Sequence, residues 1–484
     1  MNDFTALNTS NFYAQSHVTG DICAGLLAYF VLLSSNDSLL CRLRCGVSGS
    51  IVSMSVDVPS KKELFQFVDN VTYGDFCDVE VSQISEDSQI SEDSHRNHAS
   101  NPIQQRGGAL HISSLLPALS DVIGAPVSTA VHKNPGFLRE SLGIPKARAA
   151  IVVLVDGLGY WNILMRQGHA PYLRSLLNEP INQRPISTCV PSTTVAAMAT
   201  FGTGTCPGLT CMTGYTQKNA QTGNLAQLIQ FKDAPDPLVL QQQPTLFESL
   251  VAQGVRVDSV SLAKFEHSPL TQAAFRGAHY VTAGTPRARI MKAAASTKSP
   301  GLTYLYLRDT DKVGHNYGWD SEQWVAAFEQ VDEQLRLLQR NCAPGTVIVI
   351  AADHGMIQTD PDACVDIAKQ ADLMRDVAMI GGEPRSVMVY VKDGVEVEEV
   401  ASRWNTVLGD RALVRTKKEA IADGVFGCVC ERSEDILGDV LVQARGACTI
   451  VDSRAQTEKA MSLPSVHGSL THLEMDIPCL VDLV

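Results

Sequence analysis

Ala149-Ala-Ile-Val-Val-Leu-Val155 is an unbroken apolar run, rich in β-branched residues, that stops at Asp156-Gly157. It is apolar throughout rather than alternating, which fits a strand buried on both faces of a sheet. Comparable runs recur at Val257 to Leu262, Leu302 to Leu307, Thr346 to Ala351 and Ser386 to Val391. Helical patterns lie between them. From Ser321 to Arg340, Trp324, Phe328, Val331, Leu335 and Leu338 recur at spacings of three and four, an amphipathic stripe. Strands alternating with helices predict an α/β fold with a mostly parallel sheet sandwiched by helices. Sites in such sheets lie at the carboxyl ends of the strands. Met475 to Leu480 reads as an edge strand. The stretch from about Pro361 to Arg454 holds its own strand, the helix-like Val395 to Leu408, and Asp439 to Gln443. It is expected to form a smaller cap or insertion that shapes the substrate pocket.

The first 80 residues have apolar stretches but no chemical motif, and read as an N-terminal extension. Within it, Ile22 to Leu33 is shorter than the ~20 residues a membrane span needs. Asp21 precedes it directly and no basic segment leads it, so it reads as a buried element and not a signal peptide. Residues 81–107 include the polar, acidic tandem repeat Ser82 to Ser94. That segment cannot bury enough apolar surface to fold alone and is expected to be a flexible linker. Residues 108–484 then form the catalytic domain. The expected location is cytoplasmic, with no membrane span.

Composition narrows the function. With 45% hydrophobic and 19% charged residues the chain is an ordinary globular protein. A net charge of -13 argues against binding a nucleic-acid duplex. An anionic substrate would then need bound cations to supply the local positive field. The 13 cysteines include no CxxC pair and read as small buried hydrophobes in a reducing compartment.

Candidate chemistry falls where the fold predicts it. Asp156 follows the first buried strand, with Gly157 and Gly159 allowing a tight turn; a turn or helix-capping aspartate would look the same. Asp311-Lys-Val-Gly-His315 follows another strand, and aspartate and histidine four apart can converge on one cation. Gly314 and Gly318 would let that segment fold as a tight loop, with Asp309 as a competing carboxylate. Asp353-His354-Gly355 follows Thr346 to Ala351, and a plain Asp–His hydrogen bond is the alternative there. His467-Gly468 completes the set, while His472 reads as a surface residue. Mixed oxygen and nitrogen donors suit zinc, with manganese a poorer match. Two three-ligand sets leave positions open for substrate. Pro191-Ser-Thr-Thr194 precedes the small residues Val195 to Ala199, which predict a tightly packed helix. A hydroxyl at its N-terminus could be a simple cap or, beside a metal, a nucleophile.

Taken in order, Val155-Asp-Gly-Leu-Gly159, Pro191-Ser-Thr-Thr194 with Thr203-Gly204 and Pro207-Gly208, Asp311-x-x-x-His315-x-x-Gly318, Asp353-His354-Gly355 and His467-Gly468 resemble the alkaline phosphatase superfamily. They are most similar to its type I phosphodiesterase/nucleotide pyrophosphatase branch, over roughly residues 145 to 484. The resemblance implies an alkaline phosphatase-like fold and two divalent metal ions, with zinc expected. One ion would be held by Asp311, His315 and His467, the other by Asp156, Asp353, His354 and the nucleophile. The family places its nucleophile nine residues before the threonine of its Thr-Gly pair, which is Thr194 here, with Thr193 as the fallback. Nucleotide pyrophosphatases carry an asparagine three residues after the nucleophile, whereas this chain has Ala197. No arginine stands beside Thr194, and the sulfatase pattern is absent.

The resemblance therefore implies a two-metal hydrolase of phosphodiester or phosphoanhydride bonds acting through a phosphothreonine intermediate on Thr194. Its partner would be a small phosphorylated substrate, with nucleotides among the candidates. The alternatives are a phosphomonoesterase or phosphonate hydrolase on the same scaffold, a metal-dependent phosphomutase, and a non-catalytic metal-binding protein.

Overall fold

The computed structural model describes residues 56–69, 71–74 and 107–484. The apolar run Ile22 to Leu33 and the acidic repeat Ser82 to Ser94 lie outside the described residues.

Five strands of the central sheet run parallel: β1 (Ala149–Val155), β2 (Val257–Ser261), β3 (His279–Thr282), β4 (Gly301–Leu307) and β5 (Thr346–Ala351). A separate antiparallel sheet holds β6 (Val377–Glu383), β7 (Ser386–Val391), β8 (Ala412–Thr416) and β9 (Val440–Ala444). The chain then returns to the central sheet as β10 (Cys479–Leu483), antiparallel to β5. The order across the central sheet is β10-β5-β1-β4-β2-β3.

Every residue of β1 and β5 is buried, as continuous apolar runs demand of strands covered on both faces. Their register decides where the chemistry sits. Ala149 pairs with both Gly301 and Thr346, and Val155 with Leu307. The three central strands therefore end nearly level, and the residues that follow them emerge along one edge. That edge is the carboxyl end of the parallel strands, where α/β sheets place ligands.

Four helices matter for the site: α1 (Thr194–Thr203), α2 (Asp309–Tyr317), α3 (Glu322–Asn341) and α4 (Val397–Leu408). The stripe on α3 packs as its spacing requires, with Trp324, Phe328, Val331, Leu335 and Leu338 all buried. Ser321 caps it by accepting from the Trp324 N–H at 3.1 Å. In α1 the small residues allow close approach. A Cβ on Gly202 would lie 1.9 Å from the Ala274 carbonyl oxygen, so the helix seats against that chain without a side chain between them.

The antiparallel sheet has a core of its own, in which Val387, Val389, Val400, Trp404 and Val442 are buried together with α4. It joins the main body through Arg385 and Glu474. Both side chains are fully buried, and the guanidinium donates to the carboxylate at 3.0 and 2.8 Å. At the N-terminal end, Leu64, Val68 and Tyr73 are buried. The Tyr73 hydroxyl donates to the Val425 carbonyl and accepts from the Val190 N–H. These residues, assigned to the extension on sequence grounds, pack against the main body.

Three local expectations change. The edge strand runs over Cys479–Leu483 rather than Met475 to Leu480, because Pro478, which has no N–H, interrupts it. Asp476–Ile477 pairs instead with Ile186–Ser187. His472 is not a surface residue: its ring is mostly covered and its Nδ1 lies 3.0 Å from Asp476 Oδ2. Among the nine described cysteines eight are free, and six of those are buried. Among the described residues no helix is long and apolar enough to cross a membrane.

Candidate active site

The seven residues singled out in the sequence meet at one place. Asp156 leaves β1, Asp311 and His315 lie on α2 after β4, and Asp353 and His354 follow β5. Thr194 opens α1, and His467 arrives from the C-terminal segment. The loop expected around Asp311 is a helix. Asp311 and His315 thus face the same way because they stand one turn apart, and their side chains approach to 3.1 Å. Gly314 is needed for packing: a Cβ there would lie 2.5 Å from Met356 Sδ. Gly157, at φ +68°, makes the turn after Asp156. Its N–H donates to Asp353 Oδ1 at 3.0 Å, tying the ends of β1 and β5 together.

The three histidines share one arrangement. His315 Nδ1 lies 2.8 Å from the Ser465 carbonyl oxygen, His354 Nδ1 3.0 Å from that of Gly355, and His467 Nδ1 2.9 Å from that of Ser192. A carbonyl oxygen can only accept, so each Nδ1 carries a proton and each Nε2 is left to face the cluster, where the neutral ring offers a lone pair to a cation. All three Nε2 atoms point at carboxylates or at the threonine. His354 Nε2 is 3.6 Å from Asp156 Oδ1, 3.5 Å from Asp353 Oδ2 and 3.1 Å from Thr194 Oγ1. His467 Nε2 is 3.8 Å from Asp311 Oδ1. The rings of His354 and His467 stack with centroids 3.5 Å apart.

These carboxylates are poorly satisfied by the protein itself. Asp156 Oδ1, Asp311 Oδ1 and Asp353 Oδ2 are buried with no hydrogen-bond partner. Orphaned acceptors of this kind are costly unless a cation completes them. Burial, aided by the charges of Asp353 and Asp311, pushes the Asp156 carboxyl well above its usual range. Burial also opposes ionisation of Asp311, but the neighbouring His315 and His467 outweigh it and hold this carboxyl low. Burial, then His354 and His315, drive the His467 imidazole well below its usual value. Three oxygen donors and three imidazole nitrogens, with Asp156, Asp353 and the three rings each held by a second partner, fit a site for divalent cations.

Two groups of donor atoms each lie within 4.8 Å of one another: Asp156, Asp353 and His354; and Asp311, His354 and His467. The first has the protein donors expected together. The second contains His354 where the expected set had His315, because the stacked His354 ring places its Nε2 within reach of both groups.

Thr194 is the first residue of α1, so its hydroxyl stands at a helix N-terminus, with Thr193 in extended backbone as the cap. Thr193 itself faces a different cavity from Thr194. The Thr194 cavity has a volume of about 540 Å³ and is lined by Asp156, Tyr306, Lys264, Phe265 and Arg308 among others.

Sequence reasoning missed several of these groups. The Tyr306 hydroxyl donates to Asp156 Oδ2 and orients that carboxylate. The available signal was that Tyr304 and Tyr306 stand two apart on one face of β4, near its carboxyl end. Lys264 and Arg308 stand at 4.7 and 5.9 Å from the Phe265 ring centroid. No motif marks these three.

The sequence profile described as type I phosphodiesterase / nucleotide pyrophosphatase matches residues 150–469. Comparison with curated proteins gives no match. Among solved structures, the chain is similar to murine ectonucleotide pyrophosphatase / phosphodiesterase 5, with a TM-score of 0.55 and 16% identity over 69% of this chain and 87% of that one. It is also similar to phosphonoacetate hydrolase from Sinorhizobium meliloti 1021, with a TM-score of 0.53 and 21% identity over 70% and 90% of the two chains. At these identities the likeness establishes a shared fold.

Proposed function

Because the chain belongs to the type I phosphodiesterase / nucleotide pyrophosphatase family, a family of metal-dependent hydrolases, we propose that it cleaves phosphodiester or phosphoanhydride bonds with Thr194 as the nucleophile. One observation carries this reading. The Thr194 hydroxyl sits at a helix N-terminus, 3.1 Å from His354 Nε2 and beside buried carboxylate oxygens that have no other partner.

Asp311, His315 and His467 would hold one divalent ion, zinc in the first instance, and Asp156, Asp353, His354 and Thr194 a second. Such ions supply the charge that lowers the pKa of the threonine hydroxyl and neutralises the phosphoryl oxygens. The chain's own groups do the positioning. The α1 N-terminus presents backbone N–H groups toward an anion. Tyr306 fixes Asp156, and the Ser465, Gly355 and Ser192 carbonyls fix the three rings. Thr194 Oγ attacks phosphorus and one ester arm leaves as the alcohol, giving a phosphothreonine ester. Water then attacks the same phosphorus from the vacated side and restores the hydroxyl.

The cavity beside Thr194 suggests the retained arm. Phe265 offers an aromatic face and Lys264 and Arg308 offer charge, which suits a nucleotide. Murine ectonucleotide pyrophosphatase / phosphodiesterase 5 has been solved with AMP. A second reading, phosphonate hydrolysis, is favoured by the same two cations, which also suit a carboxylate, and by Ala197 replacing the asparagine of nucleotide pyrophosphatases. The Sinorhizobium enzyme has been solved with phosphonoacetate.

The test is a panel of bis(4-nitrophenyl) phosphate, 4-nitrophenyl phosphate and phosphonoacetate, assayed after chelation and after zinc is restored. Zinc-dependent turnover of the diester above the other two supports the proposal, while preference for phosphonoacetate moves the protein to the second reading. In Thr194→Ala the rate should fall by about 10³-fold or more with zinc binding largely retained. Undiminished turnover in that variant removes Thr194 as the nucleophile.

A further inference from the structure

A second cavity, of about 550 Å³, adjoins the same cluster from the side of the antiparallel sheet. Thr193, His315 and His467 are part of its wall, so a molecule filling it ends against the proposed metal ligands. The rest of the wall differs from the cavity beside Thr194. Leu225, Ile367, Ile380, Val387, Ile450 and Leu463 make it largely apolar. Among the described residues no lysine or arginine lines it, whereas Lys264 and Arg308 line the other. A wall without cations gives poor compensation to a pyrophosphate or carboxylate arm, and desolvating such an arm there would be costly. The same wall gains free energy by taking hydrocarbon out of water.

Polar side chains interrupt the apolar surface at Thr193, Tyr215, Thr216, Asp452 and Gln456, and at Glu383 close to the cluster. Glu383, at the end of β6, is 8% exposed. Its Oε2 accepts the Tyr215 N–H at 2.9 Å, and its Oε1 is buried without a partner. Gly468, next to His467, packs so closely on Glu383 that a Cβ there would lie 2.7 Å from Glu383 Cγ. The unpartnered oxygen therefore sits near the phosphoryl end of the cavity rather than at its far end.

We propose that this cavity is a subsite for an aliphatic ester arm, so that the substrate is a phosphodiester carrying a hydrocarbon chain on one side and a polar or aromatic group on the other. A chain of roughly six to ten carbons matches a cavity in the size range that encloses a small ligand. The side chains of Ile380 and Leu463 contact it along its length, and Glu383 lies at the ester end. This inference rests on the reading that the Asp and His cluster binds a phosphoryl group.

The test is calorimetric binding of methyl-, butyl- and octylphosphonate to the zinc-loaded full-length protein. Methylphosphonate reports the phosphoryl site alone, and the gain along the series reports the cavity. Affinity should rise by about fourfold per buried methylene, equivalent to about 0.8 kcal/mol, and by at least about 100-fold from methyl to octyl. Ile380 and Leu463 are only half-buried, so Ile380→Gln and Leu463→Gln should fold, remove most of the gain and leave methylphosphonate binding unchanged. Phe265→Ala should keep the gain. Equal affinity for methyl- and octylphosphonate overturns the subsite, as does a gain that survives both glutamine variants but is lost in Phe265→Ala. Failure of methylphosphonate itself to bind would locate the error in the phosphoryl reading, and a chain-length gain lost in the glutamine variants would still support the apolar subsite.

Discussion

Tyr306→Phe removes one oxygen and nothing else, and it isolates the support given to a single proposed metal ligand. The Tyr306 hydroxyl donates to Asp156 Oδ2, while Asp156 Oδ1 already lacks a hydrogen-bond partner. A hydrogen bond to a charged acceptor contributes about 1.5–3 kcal/mol. That is about 10- to 100-fold in affinity, the range found when groups that orient metal ligands are removed. The metal-free protein should respond less. Burial and the neighbouring Asp353 and Asp311 already push the Asp156 carboxyl up, so it can take a proton in place of the lost donor. Zinc affinity, measured by competition with a fluorescent chelator, should therefore fall about 10- to 100-fold, while the melting temperature of the chelated protein changes little. Diester turnover at saturating zinc should be largely recovered. Zinc affinity within twofold of the wild type would refute the reasoning, and so would an equal loss of stability in the chelated protein.

Two further predictions concern stability. Burial pushes the Glu383 carboxyl up from 4.5 to about 8, with Glu474 adding to the shift and the Tyr215 N–H opposing it. A raised folded-state pKa stabilises the protein fully below the unfolded value, and that stability is lost as pH rises through the folded value. Denaturant melts of chelated wild type against Glu383→Gln should show the variant gaining relative stability from about pH 4.5 to about pH 8, by up to a few kcal/mol, with no pH-dependent difference below that window. Arg385→Ala should cost about 3–5 kcal/mol, since it leaves the fully buried Glu474 carboxylate without its cation. A loss under about 1 kcal/mol would show that the Thr471 hydroxyl and Ser469 N–H suffice for that carboxylate.

Much of the site was legible because the fold makes local sequence signals converge. Asp156 and the Asp353-His354 pair each follow a continuous apolar run, and level register of the strands then brings the two ends together. Asp311 and His315 were found by their spacing, although glycines suggested a loop where the chain continues as a helix. There Gly314 answers to the close approach of Met356 rather than to a turn. Tyr306 and Glu383 were not legible. Each is a single polar residue at the end of a strand, and its role depends on which side chain tertiary packing sets opposite it. The apolar cavity was hidden for the same reason. Its wall is drawn from segments as distant as Leu225, Ile380 and Leu463, whose individual patterns show only that each faces inward. The Pro478 interruption and the covered His472 likewise depend on the pairing of neighbouring segments, which a linear pattern does not contain.

The most direct test of covalent hydrolysis on Thr194 is the stereochemical course at phosphorus, followed with a chiral phosphorothioate diester hydrolysed in isotopically labelled water. Attack by Thr194 and then by water makes two in-line displacements, so retention of configuration is expected. Inversion would mean a single direct attack by water, and would contradict a phosphothreonine intermediate.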